Sequence, residues 1–92
     1  MFNGIIFNQG MIKKIIKRDK GINIFLNSNL KLTKKDIGVS VSCDGVCLTL
    51  ITIKNKLMEF YLSDETIQRS KFRFLKTKDK INLELPLKYG QK

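Results

Sequence analysis

The dipeptide Asp44-Gly45 lies between two alternating runs that are rich in β-branched residues. Both residues tolerate the positive φ angles that a two-residue type I′ turn requires, so the dipeptide predicts a tight β-hairpin. Such a turn fixes the register, and directly paired residues share one face of a sheet. The predicted pairs are Cys43 with Val46, Ser42 with Cys47, Val41 with Leu48 and Ser40 with Thr49.

This register sorts the hairpin into two chemically different faces. One face is apolar and suits a core; it holds Val41, Cys43, Val46, Leu48 and Leu50. The other face, which we call the polar shelf, holds Ser40, Ser42, Cys47 and Thr49. Small hydroxyl and thiol groups pack poorly in a core, and we interpret the shelf as the floor of a ligand site. The alternative is an ordinary solvated face of an antiparallel sheet, and a slip of one residue would exchange the two faces.

The alternation fails after Leu50. Its continuation would place Thr52 on the apolar face and the isoleucines at 51 and 53 on the polar one. The sequence therefore predicts a bulge or bend at this point, or a strand end that is covered on both sides.

Length and charge limit the class of protein. The 92 residues suit one small domain over residues 1–92, and no apolar run approaches the roughly 20 residues of a membrane span. The start of the sequence lacks the pattern of a signal peptide, so we expect a cytoplasmic protein that does not bind a membrane. Lysine and arginine number 18 against 8 acids, giving a net charge of +10. Because these charges are scattered, a lysine-rich solvated surface is favoured over a nucleic-acid footprint.

The two cysteines point to reduced thiols. Cys43 and Cys47 project to opposite faces of the predicted hairpin, which makes a disulfide between them implausible. Two thiols in a chain without histidine are too few for a structural zinc site. We expect no metal, and only Cys47 is placed to meet a ligand.

The rest of the chain reads as short strands separated by turns. Strands are predicted at 2–7, 11–16, 22–27, 57–62 and 81–85, in addition to the hairpin. Asn8-Gln9-Gly10 and residues 17–21 are predicted turns, Thr33 with Asp36 has the pattern of a capping box, and a short helix is expected over 64–69. About six short strands with little helix predict an all-β fold, a small antiparallel barrel or sandwich. Closure is favoured because it removes unprotected edges.

Four segments resemble one known family. Residues 1–6 resemble the Met-Phe-Thr-Gly-Ile start of riboflavin synthase, and residues 40–50 resemble its Ser-Val-(x)3-Gly-x-Cys-Leu-Thr-Val motif. Glu65-Thr66 resembles the start of its helix, and residues 76–84 resemble its Lys-Val-Gly-Asp-x-Val-Asn-Leu-Glu segment, with Lys78 in place of glycine.

The resemblance implies a fold and a reaction. The family chain holds two six-stranded Greek-key barrels and forms a trimer, and each barrel binds one 6,7-dimethyl-8-ribityllumazine. Two lumazines dismutate to riboflavin and 5-amino-6-ribitylaminouracil without metal or cofactor. This chain ends where the linker to the second barrel would begin, so it resembles the N-terminal half. As an isolated domain we expect it to dimerise and to turn over weakly or not at all.

The resemblance also implies a set of ligand-binding residues. Ser40 and Cys47 are candidates for a catalytic role that stays unassigned. The implied binding residues are Gly4, Ile5, Ile6, Ser40, Cys47, Leu48, Thr49, Tyr61, Leu62, Ser63, Asp64, Glu65 and Thr66. Ser40, Cys47 and Thr49 also belong to the polar shelf, which was deduced from turn geometry alone.

Two other functions are compatible with the sequence. A basic module of the OB type would bind single-stranded nucleic acid, but it needs aromatic stacking platforms on its charged face, and most phenylalanines lie in apolar strands. A non-catalytic relative would bind lumazine or flavin as an optical or storage protein.

Overall fold

The computed structural model describes residues 8–28 and 30–85. In these ranges the strands are β1 (Asn8–Arg18), β2 (Gly21–Ser28), β3 (Ser40–Cys43), β4 (Val46–Lys54), β5 (Leu57–Ser63) and β6 (Lys80–Glu84). Helix α1 is Asp64–Gln68, and 3₁₀ helices cover Lys34–Asp36 and Lys71–Phe74.

The strands close into a barrel. Their order around the barrel is β1-β2-β5-β4-β3-β6, and every recorded pair is antiparallel. β3, β4 and β5 form a meander, and β2 and β6 join it from either side through long connections, which is a Greek-key arrangement. The predicted all-β, six-stranded barrel with short helices is confirmed.

Inward-facing side chains of all six strands form the core. Phe60, Leu50 and Val41 are completely buried, and Phe72 of the second 3₁₀ helix adds to the same cluster. Buried apolar residues alternate with outward polar residues most clearly along β3 and β6, as expected for a sheet with one buried face.

The central hairpin has the predicted register. Ser40 pairs with Thr49, Val41 with Leu48, Ser42 with Cys47 and Cys43 with Val46. Asp44 and Gly45 have φ angles of 49° and 86°, so both central residues occupy the left-handed region that the type I′ turn requires.

The predicted irregularity after Leu50 is a β-bulge. Leu50 pairs with Phe60, but Glu59 pairs with Thr52, which leaves Ile51 as the extra residue. The bulge turns Ile51 and Thr52 away from the core and lets Ile53 pack against it. A second irregularity in β1 leaves Lys13 as the extra residue opposite β2.

The predicted turn at residues 8–10 is wrong. Asn8, Gln9 and Gly10 belong to β1 and pair with Leu83, Asn82 and Ile81 of β6. A Cβ atom at Gly10 would lie 3.1 Å from Leu83 Cδ1, so the glycine allows close packing of the two strands rather than a turn. The predicted strand 2–7 lies outside the described residues.

The predictions of the capping box and of the short helix, which rest on local polar patterns, are confirmed. The Thr33 side chain accepts from the Lys35 N–H, and the Asp36 carboxylate accepts from the Thr33 N–H, so the capping box is confirmed. The predicted helix is confirmed as α1, with Ser63 as its N-cap. The turn that joins β1 to β2 is shorter than predicted and comprises Asp19 and Lys20.

Candidate functional site

The polar shelf faces outward from the barrel. Ser40, Cys47 and Thr49 are exposed and Ser42 is half-buried, while Val41, Cys43, Leu48 and Leu50 lie inside. The face assignment made from turn geometry is therefore confirmed. Because Ser40 pairs with Thr49 and Ser42 with Cys47, the four side chains form one continuous patch across β3 and β4.

The shelf rests on a tightly packed core. Leu48 is 6% exposed and Leu62 and Cys43 are fully buried. Burial, reinforced by the negative charge of Asp44 and by Cys47, raises the pKa of the Cys43 thiol to about 12. Cys43 is therefore a neutral core residue at physiological pH. Of the two free thiols, the exposed Cys47 is the one at the candidate site.

The backbone beside the shelf is paired on one side only. The recorded pairing of β4 with β5 runs from Lys54 opposite Leu57 to Leu50 opposite Phe60, and no pair beyond it is found in the described residues. By contrast, β5 pairs with β2 as far as Ser63 opposite Gly21. We call the region between residues 47–49 of β4 and 61–63 of β5 the wedge.

Backbone polar groups from both strands face the wedge. Leu50 donates its N–H to Val39 and accepts from the Gly38 N–H, so its polar groups point away from β5. Alternation along the strand turns those of Cys47 toward β5. On the other side, Asp64 donates to the Lys20 carbonyl, so the backbone groups of Ser63 face β4. The wedge thus offers amide and carbonyl groups in addition to side chains.

The side chains of the shelf form no side-chain hydrogen bond to another described residue. In the described part of the chain, the hydrogen bonds found do not involve the hydroxyls of Ser40 and Thr49 or the thiol of Cys47. A ligand could therefore meet several donors and acceptors without breaking a bond within these ranges.

The segment on the other side of the wedge differs. The Tyr61 hydroxyl donates to the Lys20 carbonyl at 2.9 Å, and its ring lies over Gly21, where a Cβ atom would be 2.9 Å from Cζ. Ser63 Oγ accepts from the Thr66 N–H at 3.2 Å and donates to Thr66 Oγ1 at 3.1 Å. The polar groups of Tyr61 and Ser63 therefore mainly shape the wall of the site.

The start of α1 offers few amides. The N–H groups of Asp64 and Thr66 already donate to Lys20 and Ser63. Sequence reasoning assigned the amides of residues 63–66 to ligand oxygens, and these two bonds leave those of Ser63 and Glu65 as the remaining donors. Asp64 and Glu65 are exposed, and Glu65 forms an ion pair with Arg69 at 3.2 Å.

Most of the residues implied by the resemblance lie on β3, on the neighbouring strands β4 and β5, or at the start of α1. The polar shelf and residues 61–66 flank the wedge, whereas Leu48 and Leu62 face the core and can reach a ligand only through their backbones. Gly4, Ile5 and Ile6 lie outside the described residues. Two cavities, of about 280 and 390 Å³, lie elsewhere on the barrel, and the residues of the polar shelf line neither of them.

Sequence reasoning missed Gly21 and Lys20. Gly21 leaves room for the Tyr61 ring, since an added Cβ would lie 2.9 Å from Cζ of that ring. The same Cβ would also lie 2.2 Å from the Leu62 carbonyl oxygen. A glycine directly after a charged turn is the only local signal, and it does not reveal the distant tyrosine. Neither a group of three or more metal-binding side chains nor a helix able to cross a membrane is found in the described ranges.

Comparison with known proteins identifies the family. The model of the lumazine-binding domain matches residues 3–86. The chain belongs to the lumazine-binding domain family. Riboflavin synthase of Photobacterium leiognathi is 35% identical over 85 residues, which cover 91% of this chain and 39% of the relative. Riboflavin synthase of Buchnera aphidicola subsp. Baizongia pistaciae is 30% identical over 92 residues, which cover 99% of this chain and 43% of the relative.

Solved structures agree with this family. The crystal structure of LumP with flavin mononucleotide has a TM-score of 0.77 at 30% identity, and the match covers 96% of this chain and 50% of that protein. LumP with 6,7-dimethyl-8-(1'-D-ribityl) lumazine gives a TM-score of 0.72 at 30% identity, over 92% of this chain and 47% of that protein. The resemblance read from the sequence is confirmed. The chain spans half or less of the length of each of these four relatives.

Proposed function

We propose that this chain is a lumazine-binding domain of riboflavin synthase and that the polar shelf with the wedge binds one 6,7-dimethyl-8-ribityllumazine or riboflavin. The observation that carries the proposal is the group of exposed shelf side chains that bond to no other described residue, beside a recorded strand pairing that ends at Leu50 and Phe60. The family match and the lumazine and flavin complexes of LumP support the same ligand class.

The shelf supplies contacts of two kinds. The hydroxyls of Ser40 and Thr49 and the thiol of Cys47 offer hydrogen bonds to ring oxygens and nitrogens, and the backbone of Cys47 and Ser63 adds directional groups. Tyr61, fixed over Gly21, and the half-buried Thr66 bound the ligand on the far side. Ser40 and Cys47 stay the candidates for a catalytic role, since they are exposed on the same surface.

The chemistry requires two ligands. A four-carbon unit passes from one lumazine to the other, which yields riboflavin and 5-amino-6-ribitylaminouracil. One shelf holds one lumazine, so a second barrel must present the other at the correct distance and orientation. Positioning of the two reactants is therefore the main contribution of the protein. We propose that no metal or cofactor takes part, that the chain assembles with a second copy or a second barrel, and that it acts in the cytoplasm.

A fluorescence titration tests the ligand. Riboflavin and ribityllumazine are each titrated with the purified chain, and saturable binding that displaces one by the other is expected. Thr49→Val weakens this binding. Val41→Ala, which changes the opposite face of the hairpin, serves as the control for indirect effects. Failure of both ligands to bind a folded chain would overturn the proposal.

A rate measurement tests the need for a second barrel. The 92-residue chain should consume lumazine weakly or not at all, even when the ligand is saturating. Consumption at an ordinary enzymatic rate would show that one barrel, alone or self-assembled, is sufficient.

A further inference from the structure

Two lysine-rich segments that are distant in sequence meet on the barrel. The Ile12 N–H donates to the Asp79 carbonyl at 2.9 Å, and the Lys78 N–H donates to the Ile12 carbonyl at 2.8 Å. These bonds fasten the turn before β6 to β1 beside its bulge. We call the resulting patch the lysine surface; its members are all exposed and comprise Lys13, Lys76, Lys78 and Lys80.

Little negative charge compensates the lysine surface. The ion pairs found in residues 8–28 and 30–85 are Lys71 with Asp44 and Arg69 with Glu65, and neither includes a member of the surface. Asp79 is the acid within the turn, and its carboxylate already accepts from the Lys76 N–H at 3.0 Å. Four exposed lysines beside one engaged carboxylate create a positive potential that attracts anions.

A cleft lined by both charged and apolar residues adjoins this surface. It has a volume of about 280 Å³, and its charged lining residues are Asp44, Lys71, Asp79 and Lys80. Leu75 and Ile81 supply aliphatic walls, and Phe74 lies at the cleft with 70% of its surface exposed. The 3₁₀ helix Lys71–Phe74 holds Phe72 in the core and so presents Phe74 outward. An exposed phenylalanine at the edge of a cleft with aliphatic walls is typical of a binding surface.

We propose that the lysine surface and this cleft together bind an acidic segment of another protein that carries an apolar side chain. The apolar side chain enters the cleft against Phe74, and the flanking carboxylates meet the lysines. Single-stranded nucleic acid fits less well, because it needs successive aromatic platforms, whereas Phe74 is the one largely exposed aromatic ring found at this surface in the described residues.

The test uses a defined acidic peptide and the full chain. A rhodamine-labelled peptide of glutamates around a central leucine and phenylalanine is titrated with the protein and followed by anisotropy. Saturable binding is expected, weakening about tenfold or more as salt rises from roughly 50 to 300 mM, because screening reduces the attraction between exposed charges. Replacing the central apolar pair of the peptide by alanines should also weaken binding.

Matched charge reversals locate the surface. Lys13→Glu with Lys80→Glu should weaken binding by about tenfold or more, whereas Lys34→Glu with Lys35→Glu makes the same change of net charge on the 3₁₀ helix beside β4 and should have little effect. Phe74→Ala should weaken binding of the original peptide but not of the alanine peptide. Unchanged riboflavin binding by all variants shows that they are folded, and it separates this inference from the proposed function.

Three results would overturn the inference. The first is a folded chain that does not bind the acidic peptide at low salt. The second is equal weakening by the two double variants, since binding would then depend only on net charge. The third is tighter, Phe74-dependent binding of an oligothymidylate of equal charge, which would assign the surface to nucleic acid.

Discussion

The two halves of β4 lie in different environments. Residues 50–54 pair with β5 at four positions and have the sheet continued on that side, whereas residues 46–49 pair with β3 alone among the described residues. Both halves bury inward side chains, Leu48 in one and Leu50 in the other, and the bulge at Ile51 interrupts the alternation of residues 50–54. What differs is the use of the outward side chains and of the backbone edge that faces β5.

This difference predicts that residues 50–54 of β4 contribute mainly to stability and residues 46–49 mainly to ligand binding. At the paired half, Leu50 and Phe60 join two strands and are completely buried. At the other half, Cys47 and Thr49 have exposed side chains over a core that is equally well packed. The site therefore lies on the barrel without opening it, and substitutions in the two halves should affect different measurements.

The largest expected effect is a loss of stability on substitution of Phe60, which forms the last recorded pair of β5 with the paired half of β4. Phe60→Ala should lower the free energy of unfolding by about 3–5 kcal/mol, because it removes a buried ring and leaves a cavity. Phe74→Ala is the matched control, since the same atoms are removed from a side chain that is 70% exposed. Chemical denaturation of both variants checks the prediction, and equal losses would contradict the assignment of the core.

A smaller effect is expected from substitutions in residues 46–49 of β4, and it concerns ligand affinity rather than stability. Thr49→Val and Cys47→Leu should each weaken riboflavin binding by about 1–3 kcal/mol, because a polar group of the ligand is left without a partner. The free energy of unfolding should change little. Val41→Ala is the control on the opposite face and should behave in the reverse way. Unchanged affinity for both shelf variants would remove the shelf from the ligand site.

The smallest expected effect is a pH dependence of stability caused by Cys43, and it tests whether the core continues beneath the shelf. The raised pKa of Cys43 means that the folded chain keeps a proton which the unfolded chain loses above pH 9.0. Stability should therefore be unaffected below that pH and fall above it, by up to about 1.4 kcal/mol for each pH unit, as the pH rises toward the folded value.

Alkaline denaturation of the wild-type chain and of Cys43→Ala measures how the Cys43 thiol contributes to the free energy of unfolding. The stability advantage of the wild type should shrink as the pH rises above 9.0, since only the wild type carries the buried thiol. Parallel curves would show that Cys43 ionises freely and that the core is open under the shelf. In Cys47→Ala, a thiol reagent should modify Cys43 only as fast as the chain unfolds.

The elements that the sequence predicted well are those set by neighbouring residues. Asp44 and Gly45 define the hairpin and its register, and Thr33 with Asp36 defines a capped turn. The failure of alternation after Leu50 correctly indicated the bulge at Ile51. Each of these depends on backbone angles or hydrogen bonds within a few residues, which distant parts of the chain do not alter.

The elements that it missed depend on distant partners. Asn8, Gln9 and Gly10 have turn composition, but pairing with β6 draws them into a strand. The amides of Asp64 and Thr66 looked available for a ligand, but contact with Lys20 and the cap at Ser63 occupies them. These contacts join residues that are far apart in the sequence, so no short segment reveals them. They override the intrinsic preference of a residue for a turn or a strand.

The sequence by itself determined which residues of the hairpin face outward, because a two-residue turn and the period of a strand leave one register. It also determined the family through motifs that survive at fixed spacing. Only the tertiary structure decided where β4 parts from β5, which polar groups stay unengaged, and that lysines from positions 13 and 80 share a surface. Closure of the barrel brings together residues that are far apart in the chain, and it is this closure that turns an amphipathic hairpin into a candidate binding site.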